Sequence, residues 1–286
     1  MPTPTPEPTG PHTAGHVAID VRDARRVYGH GATGLVALND VTVSVPAGRF
    51  VSVIGPSGCG KSTLLRLIAG LEKPDGGTVQ VHGVTPDEAS AAKMIGLVPQ
   101  TPALLPWLSV LKNVSLPEKM NRRAPVRRDR IEGERTGSTA KPDMVELLRK
   151  AGLAEAMDKL PAELSGGMQQ RTAIVRAFGL QPEVLLMDEP FSALDEFTRE
   201  SLQEQLLDLW DELKTTVIFV THSVTEAVRL SDTVLVMAPK PGRITDVVDI
   251  DLPRPRGSEL LKTPEFHHYE DVIRDRLRGA WHSDAA

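Results

Sequence analysis

Gly55-Pro56-Ser57-Gly58-Cys59-Gly60-Lys61-Ser62-Thr63 is the stretch on which the reading of this chain turns, and it satisfies G-x-x-x-x-G-K-[ST]. Its glycines let successive backbone N–H groups point inward around an anion, where side chains would obstruct. A helix starting at Ser62 directs the positive end of its dipole at the same place. Lys61 adds a mobile positive charge for β- and γ-phosphates, and the Ser62 hydroxyl is a ligand type for Mg²⁺. Immediately before stands Phe50-Val51-Ser52-Val53-Ile54, a continuous apolar run that suits a buried strand. Immediately after, Leu64, Leu65, Leu67 and Ile68 mark an amphipathic helix reaching Ala69. Cys59 sits at a variable position of the loop and reads as space-filling; the alternative is that its oxidation blocks nucleotide binding.

Outward from the loop, Val17, Ile19 and Val21 alternate with polar neighbours, and so do Val41, Val43 and Val45, as in half-buried antiparallel strands. Thr78–His82 and Ile95–Val98 read as short strands. From Ser109 to Leu180 the strand signal gives way to helices broken by Pro117, Pro142 and Pro161. It returns in Val184-Leu185-Leu186-Met187, Thr216–Val220 and Thr233–Met237, with helical stretches between. That alternation predicts an α/β fold with a mixed, largely parallel core sheet, an N-terminal antiparallel β subdomain and an inserted α-helical subdomain.

A chain of 286 residues suits one large α/β domain with a helical appendage. The formal charge of −5 argues against a dedicated nucleic-acid binder. A single cysteine forbids an intramolecular disulfide and suits a reducing cytoplasm. No apolar run approaches the ~18–20 residues that span a bilayer. Residues 1–16 read as a disordered leader rich in Pro, Thr and Gly. Residues 17–250 form the nucleotide-binding domain, with the helical subdomain at about 101–180 and a flexible basic insertion at 118–141. Residues 251–286 are a tail with one helix, in which Phe266, Ile273, Leu277 and Trp281 fall near one face.

Val184-Leu185-Leu186-Met187-Asp188-Glu189 narrows the chemistry. A buried strand delivers Asp188, placed to hold Mg²⁺ through water, and Glu189 can polarise an attacking water. This is a hydrolase pattern. Leu164-Ser165-Gly166-Gly167-Met168-Gln169-Gln170 closely resembles the LSGGQ signature of ABC ATPases, one short helix ahead of that strand. Ser165 and the bare N–H groups of Gly166 and Gly167 at a helix start make a second anion site of their own. The resemblance, which runs from about Val17 to Ile250, implies a head-to-tail dimer, formed with a second copy or a homologous subunit. Each ATP then lies between Lys61 of one chain and Ser165, Gly166, Gly167 and Gln169 of the other. It also implies that Tyr28 stacks on adenine (a plain strand-end tyrosine is the other reading), that Gln100 touches Mg²⁺ or water, that Asp195 reaches across the dimer, and that His222 contacts the γ-phosphate.

One uninterrupted cassette resembles a transporter subunit, and the alternative is a cytosolic ABC ATPase acting on nucleic acid or ribosomes. Leu105-Pro106-Trp107-Leu108-Ser109-Val110, Phe191 to Asp195 with Thr198-Arg199-Glu200, and Ala238 to Ile244 look like the nitrate/sulfonate/taurine importer ATPases. That implies a protein on the cytoplasmic face of the membrane, driving a separate permease and, indirectly, a solute-binding protein, with no nucleic acid. Ser223 after His222, Arg49, and the length of the basic insertion depart from the family pattern. Leu104, Leu105, Trp107 and Leu108 form either a groove for a permease helix or a local core beneath the helical lobe.

Overall fold

The computed structural model describes residues 16–29, 34–121, 123–132, 143–239 and 241–282. Strands β1 (Val17–Tyr28) and β2 (Leu35–Pro46) come first, and β3 (Phe50–Ile54) leads through the glycine loop into α1 (Lys61–Ile68). Next are β4 (Gly76–Val81), α2 (Pro86–Ala91) and β5 (Ile95–Val98). The helical region holds α3 (Val110–Lys119), α4 (Ala124–Glu132), α5 (Met144–Lys150) and α6 (Gly166–Phe178). Then come β6 (Val184–Asp188), α7 (Glu196–Leu213), β7 (Thr216–Thr221), α8 (Val224–Leu230), β8 (Thr233–Ala238), β9 (Arg243–Asp249) and α9 (Pro264–His282).

The larger sheet has the order β5-β6-β7-β3-β8-β9, parallel except for the antiparallel edge strand β9. The smaller sheet, β2-β1-β4, is antiparallel. Side-chain alternation sorts the core into two faces. Val51, Val53, Val184, Leu186, Ile218 and Val220 pack with α1 and the small sheet. Phe50, Leu185, Met187, Val217 and Phe219 pack with α6 and α7 on the other side. All five residues of β3 are buried because helices cover both faces and strands flank both edges. The glycine loop therefore springs from a strand that is buried at every position and paired on both edges.

The expected α/β layout is the observed one, with local differences. Helix α3 does not break at Pro117 but runs through it to Lys119; the cost is one donor, that for the Asn113 carbonyl one turn back. The basic insertion is not irregular throughout, since Ala124–Glu132 is helical and Arg128 pairs with Glu183 and donates to the Gln181 carbonyl. Residues 133–142, including Pro142, lie outside the described residues, as does the leader except His16. Strand β9 and helix α2 add to the sequence reading. Helix α9 buries Phe266, Ile273 and Ala280 against α8 and β8, and Leu277 packs alongside; the side chain of Trp281 lies outside the described set. Among the described residues no helix is long and apolar enough to cross a membrane.

Candidate functional site

Gly58 and Gly60 take φ of 79° and 94°, the left-handed region that glycine tolerates. The loop rests on its neighbours without slack. A Cβ on Gly60 would lie 2.6 Å from Leu38 Cδ2, and one on Gly55 2.6 Å from the Met237 carbonyl oxygen. Lys61 folds back along the loop, its Nζ donating to the carbonyls of Gly55 at 2.8 Å and Pro56 at 3.1 Å. Cys59 is fully buried, and burial pushes its thiol up. A neutral, buried thiol is a poor nucleophile.

The ends of three adjacent strands supply the polar groups that face this loop, as parallel sheets do. Ser62 Oγ donates to Asp188 Oδ1 at 3.0 Å. Burial raises the Asp188 carboxyl above the usual carboxylate range, and the Ser62 bond opposes that rise. Glu189, just past β6, takes φ of 45°, uncommon for a residue with a side chain. Its N–H is pinned to the Val220 carbonyl of β7 at 3.0 Å, and its Oε2 lies 3.3 Å from His222 Nδ1. Gln100, beyond β5, donates to Ser192 Oγ at 3.3 Å, and that hydroxyl donates to the Glu189 carbonyl at 3.0 Å.

Tyr28 closes the other side. Its hydroxyl donates to Glu72 Oε2 at 2.7 Å and stands 3.4 Å from Thr63 Oγ1, and the Arg26 guanidinium lies 5.0 Å from its ring centre. A cavity of about 450 Å³ is lined by Tyr28, Ser57, Lys61, Ser62, Gln100 and Glu189, among others. Leu35, Val36 and Ala37 of β2 also line it. The cation Lys61, the glycine loop and the carboxylate Glu189 share this cavity, so the site can hold a polyphosphate and direct a water toward it.

The residues of the Leu164–Gln170 run and Asp195 lie elsewhere. Ser165 caps α6, accepting from the Met168 N–H at 3.3 Å, and Asp195 caps α7, accepting from the Thr198 N–H at 3.0 Å. The two helix starts touch, since a Cβ on Gly167 would lie 2.6 Å from Thr198 Cγ2, whereas one on Gly166 would meet open space. Gln169 turns inward; its Nε2 donates to the carbonyls of Pro161 at 3.0 Å and Leu164 at 3.4 Å. None of Ser165, Gly166, Gly167, Gln169 and Asp195 lines the cavity of the glycine loop.

Residues 38–192 match the model of the family described as ABC transporter. The chain belongs to the ABC transporter family. It is 43% identical over 252 residues to the aliphatic sulfonates import ATP-binding protein SsuB 2 of Burkholderia lata, covering 87% of this chain and 84% of that one. It is 36% identical over 286 residues to the bicarbonate transport ATP-binding protein CmpD of Synechocystis sp., covering 99% and 96%. Among solved structures, it resembles the dimeric post-hydrolysis state of the ATP-binding cassette MJ0796 bound to ADP and Pi, with a TM-score of 0.67 and 32% identity over 82% of this chain and all of that one. This ABC chain is thus the ATP-binding, ATP-hydrolysing subunit of a transporter.

The structure adds residues that motif reading passed over. Glu72 holds both Tyr28 and Arg26, but neither spacing nor a motif links it to β1. Ser223 caps α8 by accepting from the Glu226 N–H at 3.3 Å, ordinary work for a serine at a helix start. Arg49 has its side chain exposed, so the departure there leaves the strand pairing intact. Buried Asn113 accepts from the Leu105 N–H at 2.8 Å and donates to the carbonyls of Leu105, Leu108 and Ser109. It clamps the loop that carries Trp107, which is 70% exposed, while Leu104 packs into the core and Leu105 and Leu108 are half-buried.

Proposed function

We propose that this ABC subunit energises uptake of a small anion, of the sulfonate, taurine, nitrate or bicarbonate type, through a separate permease. Support comes from near full-length similarity to a sulfonate importer subunit and a bicarbonate transport subunit. The observation that carries the chemistry is the grouping of Lys61, Ser62, Gln100 and Glu189 around one cavity, with Asp188 bonded to Ser62 and His222 beside Glu189.

In this reading Lys61 exchanges its bonds to the loop carbonyls for β- and γ-phosphate oxygens of ATP, and Tyr28 supplies the aromatic surface for adenine. Glu189 takes the proton of an attacking water, while His222, oriented by Glu189, donates to the γ-phosphate. The Ser62 hydroxyl, the Asp188 carboxylate and the Gln100 amide are hard oxygen donors that fit Mg²⁺. No cluster of three or more carboxylate, His or Cys ligands occurs among the described residues, as suits an ion completed by phosphate oxygens and water. When bound, Mg²⁺ neutralises charge on the phosphates. Ser165, Gly166, Gly167 and Asp195 face the nucleotide of a second chain, in keeping with their placement outside the chain's own cavity. Gln169 acts through the backbone it holds.

The permease contact is the Trp107 loop, kept rigid by Asn113 and offering an aromatic anchor. A solute-binding protein delivers the anion outside the membrane, and the subunit sits on the cytoplasmic face. The test is uptake of labelled sulfonate, taurine, nitrate and bicarbonate by a strain lacking this chain, complemented by wild type or Trp107→Ala. Loss of uptake of one anion on deletion, unrestored by a Trp107→Ala protein that still hydrolyses ATP, is expected. Unchanged uptake of all four, or full rescue by Trp107→Ala, contradicts the proposal.

A further inference from the structure

Glu226, in the first turn of α8, is buried, and its contacts join elements that the hydrolytic reading treats separately. Its Oε2 accepts from Thr221 Oγ1 at 2.5 Å, immediately before His222. Its N–H donates to Ser223 Oγ, and the Ser223 N–H returns to Thr221 Oγ1 at 3.0 Å, so Glu226 brackets the His222 turn on both sides. Its Oε1 accepts from Gln203 Nε2 of α7 at 3.3 Å. Arg229 Nη1 donates to Gln203 Oε1 at 3.0 Å, which decides the orientation of that amide.

Arg199 stands one turn before Gln203 on α7 and faces the same carboxylate oxygen. Its Nη2 donates to the Leu194 carbonyl at 2.8 Å, next to Asp195. Its Nε is buried with no hydrogen-bond partner and lies 3.8 Å from Glu226 Oε1. That is about 0.8 Å beyond hydrogen-bond length, and an unmet buried N–H favours any movement that closes the gap. Arg199 and Glu226 line one small cleft of about 20 Å³ together with Glu189, Ser192 and His222.

We propose that Glu226 is a positioning residue which, by closing on Arg199, transmits the placement of the Leu194-Asp195 loop to His222 and so to Glu189. This rests on the reading above, in which Asp195 meets a second copy and His222 acts on the γ-phosphate. Pressure on Asp195 moves the Leu194 carbonyl, Arg199 follows it, and the carboxylate sets the His222 turn through Thr221. Hydrolysis in one site thereby depends on the seating of the other chain.

Steady-state Mg-ATP hydrolysis and ATP binding by the full chain test this with Glu226→Gln, Arg199→Gln, the double variant and His222→Ala. The amide introduced by Glu226→Gln can keep the Thr221 bond through its oxygen, but its NH₂ opposes the donors of Arg199 and Gln203. Glu226→Gln and Arg199→Gln should each lower kcat about tenfold with ATP Kd changed by less than about twofold, and the double variant should be no worse than the worse single. A folded Glu226→Gln with wild-type kcat, multiplicative losses in the double variant, or kcat and Kd worsening together would overturn it. Should Glu226→Gln fail to fold, wild-type kcat in Arg199→Gln overturns it equally. His222→Ala separates the premises: full activity there sinks the site reading, while its loss beside an active Glu226→Gln sinks only this link.

Discussion

Gly242 is far in sequence from the glycine loop but lies directly beneath it. Its N–H donates to the Ala37 carbonyl at 3.1 Å and its carbonyl accepts from the Asn39 N–H at 3.0 Å, tying the turn before β9 to β2. A Cβ at this position would lie 2.3 Å from the Cys59 carbonyl oxygen and 2.5 Å from that of Ala37. Both obstacles are backbone, so no rotamer relieves them, and one belongs to the phosphate cradle. The shortfall is roughly 1 Å against ordinary contact. Overpacking of this kind costs about 1–3 kcal/mol, and in a domain of this size each kcal/mol lowers Tm by about 2–4 °C. Gly242→Ala should therefore unfold roughly 2–12 °C below wild type. Because the displaced carbonyl is that of Cys59, ATP affinity should fall about tenfold as well. Circular dichroism melts and calorimetric ATP titration read the two effects, with Gly257→Ala, whose Cβ meets open space, as the control. A Gly242→Ala protein with both the Tm and the ATP affinity of wild type would refute the reasoning.

Further outcomes follow from the same contacts. Lys61→Ala removes a cation that serves the phosphates, a loss of about 1.5–3 kcal/mol or roughly 10- to 100-fold in ATP affinity, and abolishes hydrolysis; unchanged affinity by titration would count against the cradle. Asp188 has a folded-state pKa raised by burial, so its contribution to stability is fully present below its unfolded value and is lost as pH rises through the folded one. Nucleotide-free Asp188→Asn, which keeps an oxygen for Ser62, should melt above wild type at neutral pH and converge with it in acid; parallel melting curves across pH would contradict this. Asn113→Ala removes the clamp on the Trp107 loop, and amide exchange at Leu105 and Leu108 should speed by about tenfold or more while the parallel sheet stays protected. Unaltered exchange at those two amides would remove Asn113 from the account.

The features legible in the sequence were those carried by local pattern. Gly55 to Thr63 encodes its own geometry, and the continuous apolar runs of β3, β6 and β7 announce buried parallel strands. Features made by tertiary contact were not legible. Strand β9, Arg243-Ile244-Thr245-Asp246-Val247-Val248-Asp249, has no clean alternation and lies at an edge, with Val247 59% exposed, so its hydrophobic signal is thin. Helix α2 was readable in principle, because Thr85 and Glu88 form a capping box three residues apart, but at six residues it is too short for a periodic pattern. Gln169 looks like a ligand contact in the signature run, yet its amide has two carbonyls within its own chain to satisfy. Glu226 and Arg199 sit on different helices with no motif between them, brought together where α7 and α8 meet through Gln203 and Arg229.

The central claim is that ATP is closed between Lys61 of one chain and Ser165 of another, and that Glu189 then lets it go by hydrolysis. Glu189→Gln keeps the shape of the site and removes the base. The decisive measurement is the mass of this variant by light scattering, at high protein concentration, with and without saturating Mg-ATP. The account predicts a chain of 31.0 kDa without nucleotide and a species of twice that mass with it, carrying unhydrolysed ATP. A monomer that binds ATP but stays at 31.0 kDa, or a variant that still turns ATP over at the wild-type rate, would contradict it.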